Sequence, residues 1–339
     1  MNTETRQALR VAIVGCGRMG LQHAKSSAQL GHPVTVACDV DPARAAALAA
    51  AHPGCVPFAD PASIPWADVD AAFVCTPPFA RGPVELFAAQ AGVPLFLEKP
   101  VGLSATQCAP VLAAVRRARL ITSVGYMNRY RPSVRRAREL VARDAPLGFA
   151  GHWFGAAYRV PWWGDPALSG GQLNEQCTHL VDLARHLMGE VAEVSALAQA
   201  SPQAGRGAAS VAIALRFESG ALGTITCGCL ASEKQIGCRV FTARGQIALE
   251  GWDFKWSPSG AFGDGADPGA GDPFVSEATA FLEAVRSGDA SAIRCDLPEA
   301  TRTQRVVDTI AAALAEGGRQ VINGAGRAAG GNVDAIEYS

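Results

Sequence analysis

Three groups of residues in this 339-residue chain have the types and spacing to do chemistry. The first is Gly15-Cys-Gly17-Arg18-Met19-Gly20, which follows the apolar run Val11–Val14 and opens a helical stretch. Glycines at these positions permit a tight turn, close approach of a pyrophosphate to the backbone, and close helix packing. Backbone N–H groups at such a helix start face the phosphates. Asp39 ends the next apolar run, where a carboxylate accepts hydrogen bonds from a ribose and repels a 2′-phosphate. No basic residue follows until Arg44, so NAD is preferred over NADP. Asp41, just before Pro42, takes the helix-capping role that Asp39 would otherwise claim.

The second group is Glu98-Lys99-Pro100, a charged pair ending the run Val93–Leu97. In an open parallel sheet, ligands lie outside the carboxyl ends of the strands, so this pair and the turn Cys75-Thr76-Pro77-Pro78 both border the nucleotide. An X-Pro bond can be cis, which would turn Lys99 into the cleft to hold a substrate oxygen. The third group is Glu175, His179, Asp182 and His186. At ~100° per residue they share an arc of about 60°, apart from an apolar stripe of Leu180, Leu183, Ala184 and Leu187. Histidines and acids without interleaved lysine are an unusual choice for a solvated face, and a cleft is the natural candidate for what the stripe meets.

The elements that must position these groups fall into two halves. To residue 125, strand-like runs (Val11–Val14, Val34–Cys38, Ala71–Cys75, Val93–Leu97, Ile121–Val124) alternate with helical patterns, one of them capped by Ser104. That order predicts a doubly wound parallel sheet, an α/β Rossmann domain over 1–125. From Tyr126 the pattern changes to a basic helix (Ser133–Arg143), a strand (Phe149–Tyr158), a helix around Leu173–Met188, and strands at Val191–Ala200, Ala208–Phe217, Ala221–Leu230, Cys238–Ala243 and Gln246–Glu250. Turns at Glu218-Ser-Gly220 and Ala243-Arg-Gly245 make this an α+β domain over 126–325 with a large, mostly antiparallel open sheet. The Gly- and Pro-rich stretch Ser257–Pro273 reads as a long loop, followed by helices at Glu277–Arg286 and Pro298–Glu316. The second of these can pack back on the first domain, and 326–339 is a tail expected to fray.

Composition excludes several classes of function. Thirty Lys+Arg against 31 Asp+Glu is not the basic excess of a nucleic-acid binder. No apolar run approaches the ~20 residues a membrane helix needs, and the polar start Met1–Arg6 lacks a signal-peptide pattern, so the cytoplasm is the expected location. The ten cysteines lie mostly in apolar segments and read as buried free thiols. Cys227-x-Cys229 with Cys238 lacks a fourth ligand for a metal.

Together, the glycine turn, Asp39, Glu98-Lys99-Pro100 and Gly170-Gly171…His179-x-x-Asp182 resemble the Gfo/Idh/MocA oxidoreductases across nearly the whole chain. The resemblance implies bound NAD(P), a small polyhydroxylated substrate such as a sugar or inositol between the domains, no metal, and a homodimer or homotetramer formed through the second sheet. By position, Lys99 matches the family's active-site lysine and His179 its partner histidine. Glu175 stands where dehydrogenases of the family commonly have aspartate, and Asp182 is the acid of the HxxD pattern. Arg81 departs from a position that often carries histidine, and Glu175 is one methylene longer than the usual acid. On this reading His179, assisted by Glu175, takes the proton of a secondary alcohol while Lys99 steadies the alkoxide. Tyr126, Asn128, Trp162 and Trp163 are candidate substrate contacts. Three alternatives stay open: a redox-neutral lyase or glycosidase with transient oxidation, a non-catalytic NAD-binding regulator, and a metal site at Glu175, His179 and His186.

Overall fold

The protein is described by a computed structural model over residues 8–200, 207–263 and 266–322. The polar start Met1–Arg6 and the tail 326–339 lie outside the described residues.

The first sheet has six parallel strands in the order β3-β2-β1-β4-β5-β6: β1 Val11–Val14, β2 Val34–Cys38, β3 Val56–Phe58, β4 Ala71–Val74, β5 Leu95–Leu97 and β6 Thr122–Val124. It is covered by α1 Arg18–Gln29, α2 Pro42–Ala50, α3 Pro83–Gln90 and α4 Ala105–Ala118. β1, β4 and β5 are buried on both faces, which is why they read as unbroken apolar runs. Strand order reverses between β1 and β4, and the crevice at that reversal is where such sheets bind dinucleotides. Asp41 accepts from the N–H of Ala43 as the cap of α2, and Ser104 accepts from Gln107 as the cap of α4. β3 escapes sequence reading because Val56-Pro-Phe58 is a short, largely exposed edge strand interrupted by proline.

The chain then forms α5 Pro132–Val141, β7 Pro146–Ala156, α6 Pro166–Ser169 and α7 Thr178–Met188. Next come β8 Val191–Ala200, β9 Ala208–Phe217, β10 Leu222–Gly228, β11 Leu230–Thr242, β12 Gly245–Glu250 and β13 Lys255–Gly260, followed by α8 Pro273–Ser287, α9 Leu297–Glu316 and β14 Arg319–Val321. The second sheet has eight strands in the order β13-β12-β11-β7-β10-β9-β8-β14, antiparallel except for the pair β7 and β10. β13 overturns the loop expected from residue 257: Lys255–Gly260 extends the hairpin from β12 despite its Pro and Gly content. One face of the sheet packs on α7. The other exposes Leu197, Leu222, Leu230 and Phe241.

Two helices return toward the first sheet. Ala278, Phe281 and Leu282 of α8 join Phe73 and Phe96 in its core, so this helix belongs with the first sheet in space. α9 touches α4 and β6 on one side and α7 and β8 on the other, and the backbone N–H of Leu297 donates to Thr122 Oγ1. Among the described residues, no helix is long and apolar enough to cross a membrane.

Candidate active site

The glycine turn has the shape the spacing predicts. Gly15 has φ +92°, and a Cβ there would lie 2.7 Å from the carbonyl of Cys75. A Cβ on Gly20 would sit 2.0 Å from the carbonyl oxygen of Gly15, whereas one on Gly17 would meet nothing within 4 Å. Two of the glycines are therefore required by packing, and the third borders open space. No side chain caps the start of α1 and no acid occupies its first turn, which leaves the leading N–H groups for an anion. These features fit a dinucleotide pyrophosphate. Asp39 is fixed at the same edge: its Oδ2 accepts from Cys16 N at 2.8 Å and its Oδ1 from Asp41 N at 2.9 Å. Thr76 lies against Gly15, and its buried hydroxyl has no partner.

Across the crevice, Lys99 follows the end of β5, and the Lys99–Pro100 peptide is cis. Its Nζ donates to the carbonyl oxygen of Glu175 at 2.9 Å and lies 3.9 Å from Glu175 Oε2. The strand-end ammonium is thereby tied to the helical segment that leads into His179. That segment, Leu173–Cys177, is a π-helical turn, a distortion frequent at functional sites. Glu175 is 4% exposed, and its Oε1 has no hydrogen-bond partner. Burial pushes its pKa up to about 6 against the opposing pull of Lys99 and Arg81. The ring of His179 stacks on Trp153 at 5.2 Å and 10°, with Tyr126 edge-on at 6.3 Å. Burial, reinforced by the charges of Lys99, Arg131 and Arg18, holds this imidazole well below its ordinary pKa and so neutral. Lys99, Glu175, His179 and Arg18 thus share one electrostatic neighbourhood.

Several expected residues are placed otherwise. Asp182 does not face the crevice, because Arg129 grips both of its oxygens at 2.7 and 2.8 Å and Thr303 donates to Oδ1 at 2.9 Å. His186 turns to Arg138, 3.0 Å from its Nδ1. The polar stripe is therefore split, for a physical reason: α7 is buried all round, between the sheet and helices α5 and α9, so its polar groups need interior partners. Among the described residues the group of three possible metal ligands lies elsewhere, at His23, Glu98 and Glu277. Glu98 also points inward, its Oε1 2.7 Å from His23 Nε2 and its Oε2 accepting from the Lys99 N–H. Burial alone would raise its pKa, but His23, Lys99 and Arg81 hold it low.

Asn128 spends its carbonyl oxygen on Arg131. Trp162 and Trp163 pack in a separate small cluster with Ala209 and Cys229. The rings that meet His179 are those of Trp153 and Tyr126 instead. Arg81 is a buried strut that donates to the carbonyls of Val74 and Glu98 and so ties the ends of β4 and β5 together. Sequence reading also missed Asn174, which donates to the carbonyls of Gly102 and Ser169 and accepts from Gln304 of α9. Trp153 had a legible signal, since the alternation Phe149, Gly151, Trp153 along β7 points it to the buried face. Asn174 had none.

Comparison with known proteins follows from this geometry. Residues 9–126 match the family described as "Oxidoreductase family, NAD-binding Rossmann fold", and residues 135–248 match the GFO/IDH/MocA C-terminal domain. The chain belongs to the Gfo/Idh/MocA oxidoreductase family. It is 29% identical over 226 residues to the uncharacterized oxidoreductase YrbE of Bacillus subtilis, covering 63% of this chain and 65% of YrbE. It is 30% identical over 188 residues to an inositol 2-dehydrogenase of Rhizobium meliloti, covering 54% and 56%. In both alignments the Gfo/Idh/MocA chain spans less than two thirds of the relative's length. A solved levoglucosan dehydrogenase in complex with NADH shares the fold, with TM-score 0.82 at 20% identity over 93% of this chain and 99% of that one.

Proposed function

We propose that this protein is an NAD-dependent dehydrogenase that transfers a hydride between the nicotinamide and a secondary alcohol or ketone of a sugar, sugar derivative or inositol. The observation that carries this reading is the hydrogen bond from Lys99 Nζ to the Glu175 carbonyl, which brings an ammonium beside a buried carboxyl and a neutral imidazole at the dinucleotide edge. The dinucleotide, when bound, supplies the redox chemistry. Gly15, Gly17, Arg18, Met19 and Gly20 hold its phosphates, Asp39 its ribose, and Thr76, Pro77, Pro78 and Lys99 border it. The carboxylate at Asp39 favours NAD over NADP.

Lys99 spends one donor on the Glu175 carbonyl and presents the others to the substrate oxygen, where positive charge stabilises a developing alkoxide. His179 is uncharged and can accept the alcohol proton, and Glu175, with a pKa of about 6, is poised to exchange it near neutrality. Trp153 and Tyr126 fix the imidazole plane. Asp182 is a positioning residue: it locks α7 through Arg129, three residues beyond His179. Glu98 likewise positions Lys99 through its backbone N–H. The exposed apolar face of the second sheet is assigned to self-association.

The test is NADH formation with a panel of inositols, sugars, sugar acids and nucleotide sugars, NADP in parallel, using wild type and Lys99→Met. Expected are turnover with at least one member of the panel and a loss of at least about 100-fold in the variant with NAD affinity retained. Full activity of Lys99→Met overturns the mechanism. Substrate conversion without accumulated NADH points instead to redox-neutral chemistry.

A further inference from the structure

The basic helix read from the sequence, α5, takes no part in the crevice, and neither does the far end of α7. Between them lies a separate cavity of about 540 Å³, within the range of small-molecule sites. Five arginines line it: Arg129, Arg138, Arg185, Arg294 and Arg302. Arg129 and Arg185, 2% and 4% exposed, form the floor with His186. Three carboxylates answer them. Asp182 pairs with Arg129; Glu299 pairs with Arg129, Arg185 and Arg302; Glu190 pairs with Arg185 and Arg302.

Among the described residues, Arg138 and Arg294 have no carboxylate partner. Arg138 donates only to His186, and Arg294 lies over the ring of Tyr130. The last turns of α5 and α7 also line the cavity, and each helix C-terminus contributes about half a negative charge. Even so, positive charge remains in excess. A second cavity, which shares Arg294 and Glu299 with the first, adds Arg116 and Arg119, neither of them ion-paired among the described residues, against one further carboxylate, Asp296. In a chain whose formal charge is −1, so local an excess calls for an anion. The imidazole of His186 registers the same field: burial and the charges of Arg129, Arg138, Arg294 and Arg185 push its pKa down to about 2.

We propose that this cavity is a second ligand site, distinct from the crevice, that binds the phosphate group of a small molecule or free phosphate between Arg138 and Arg294 above the Arg129, Arg185 and His186 floor. Planar guanidinium forks match phosphate oxygens in geometry as well as charge. The room beyond the arginines, walled by Val141, Pro146, Leu187 and Met188, exceeds what inorganic phosphate fills, which favours a phosphate ester. This inference does not rest on the proposed dehydrogenase activity.

The test is isothermal titration of the dinucleotide-saturated protein, so that the glycine turn is already occupied, with inorganic phosphate and separately with a hexose monophosphate at constant ionic strength. Wild type is compared with the Arg138→Gln/Arg294→Gln double variant. Both positions lie at the cavity rim, and retained dinucleotide binding verifies that the variant is folded. Expected is saturable binding of at least one probe, weakened at least about tenfold in the double variant. Tighter binding of the hexose monophosphate identifies an ester as the ligand, and equal affinity identifies free phosphate. No saturable binding at millimolar concentration, or binding equal in the two proteins, overturns the proposal.

Discussion

Glu175→Gln tests the electrostatics of the crevice most directly. The Glu175 carboxyl is 4% exposed, and burial, opposed by Lys99 and Arg81, raises its pKa from 4.5 to about 6. A displacement of that size corresponds to about 2 kcal/mol. Because the folded-state pKa is the higher one, the folded protein holds this proton more tightly than the unfolded chain. The resulting stabilisation is fully present below about pH 4.5 and is lost as pH rises through about 6. Glutamine copies the protonated group in size and cannot ionise. The variant should therefore match wild type near about pH 4 and exceed its stability by about 2 kcal/mol at about pH 8, with the gap opening between the two pKa values. Urea unfolding across a pH series, extrapolated to water, measures that gap. Activity should move the opposite way, collapsing in the variant while the wild-type rate rises through about pH 6 as the carboxylate forms. A stability gap that does not change with pH, or a variant less stable than wild type at the alkaline end, would refute the claim that this group ionises against its burial.

Four further outcomes follow from the structure. Gly20→Ala, whose Cβ would lie 2.0 Å from the Gly15 oxygen, should lose about 3 kcal/mol or more of stability. Gly17→Ala, with open space around it, should unfold like wild type yet bind dinucleotide more weakly, as calorimetry can show. Asp182→Asn takes from buried Arg129 the nearer of its two carboxylates, leaving Glu299 at 3.0 Å, and should cost about 2–3 kcal/mol in denaturant unfolding, well above the cost of a surface carboxylate. Asp39→Ser removes the charge facing a 2′-phosphate and should shift the NAD-to-NADP ratio of kcat/KM toward NADP by at least about tenfold; an unchanged ratio would take the ribose role from Asp39.

The sequence by itself determined what local rules govern. Five of the six parallel strands were legible because strands buried on both faces are continuously apolar, the glycine turn because only glycine tolerates its backbone and packing, and the helix starts because Asp41 and Ser104 satisfy orphan N–H groups. β8 and β9 were placed at their observed bounds. Helical periodicity also gathered Glu175, His179, Asp182 and His186 on one arc, but it carries no knowledge of what surrounds a helix. Only the tertiary structure decided that α7 is enclosed, so that Asp182 was drawn to Arg129, just ahead of α5, and His186 to Arg138 of α5, while Glu175 stayed with Lys99. The same limit explains Trp153 replacing Trp162 and Trp163 beside His179, Glu98 turning to His23, and Arg81 bracing two strand ends. Each depends on a contact between segments distant in sequence, set by packing and by the cost of leaving a buried polar group without a partner.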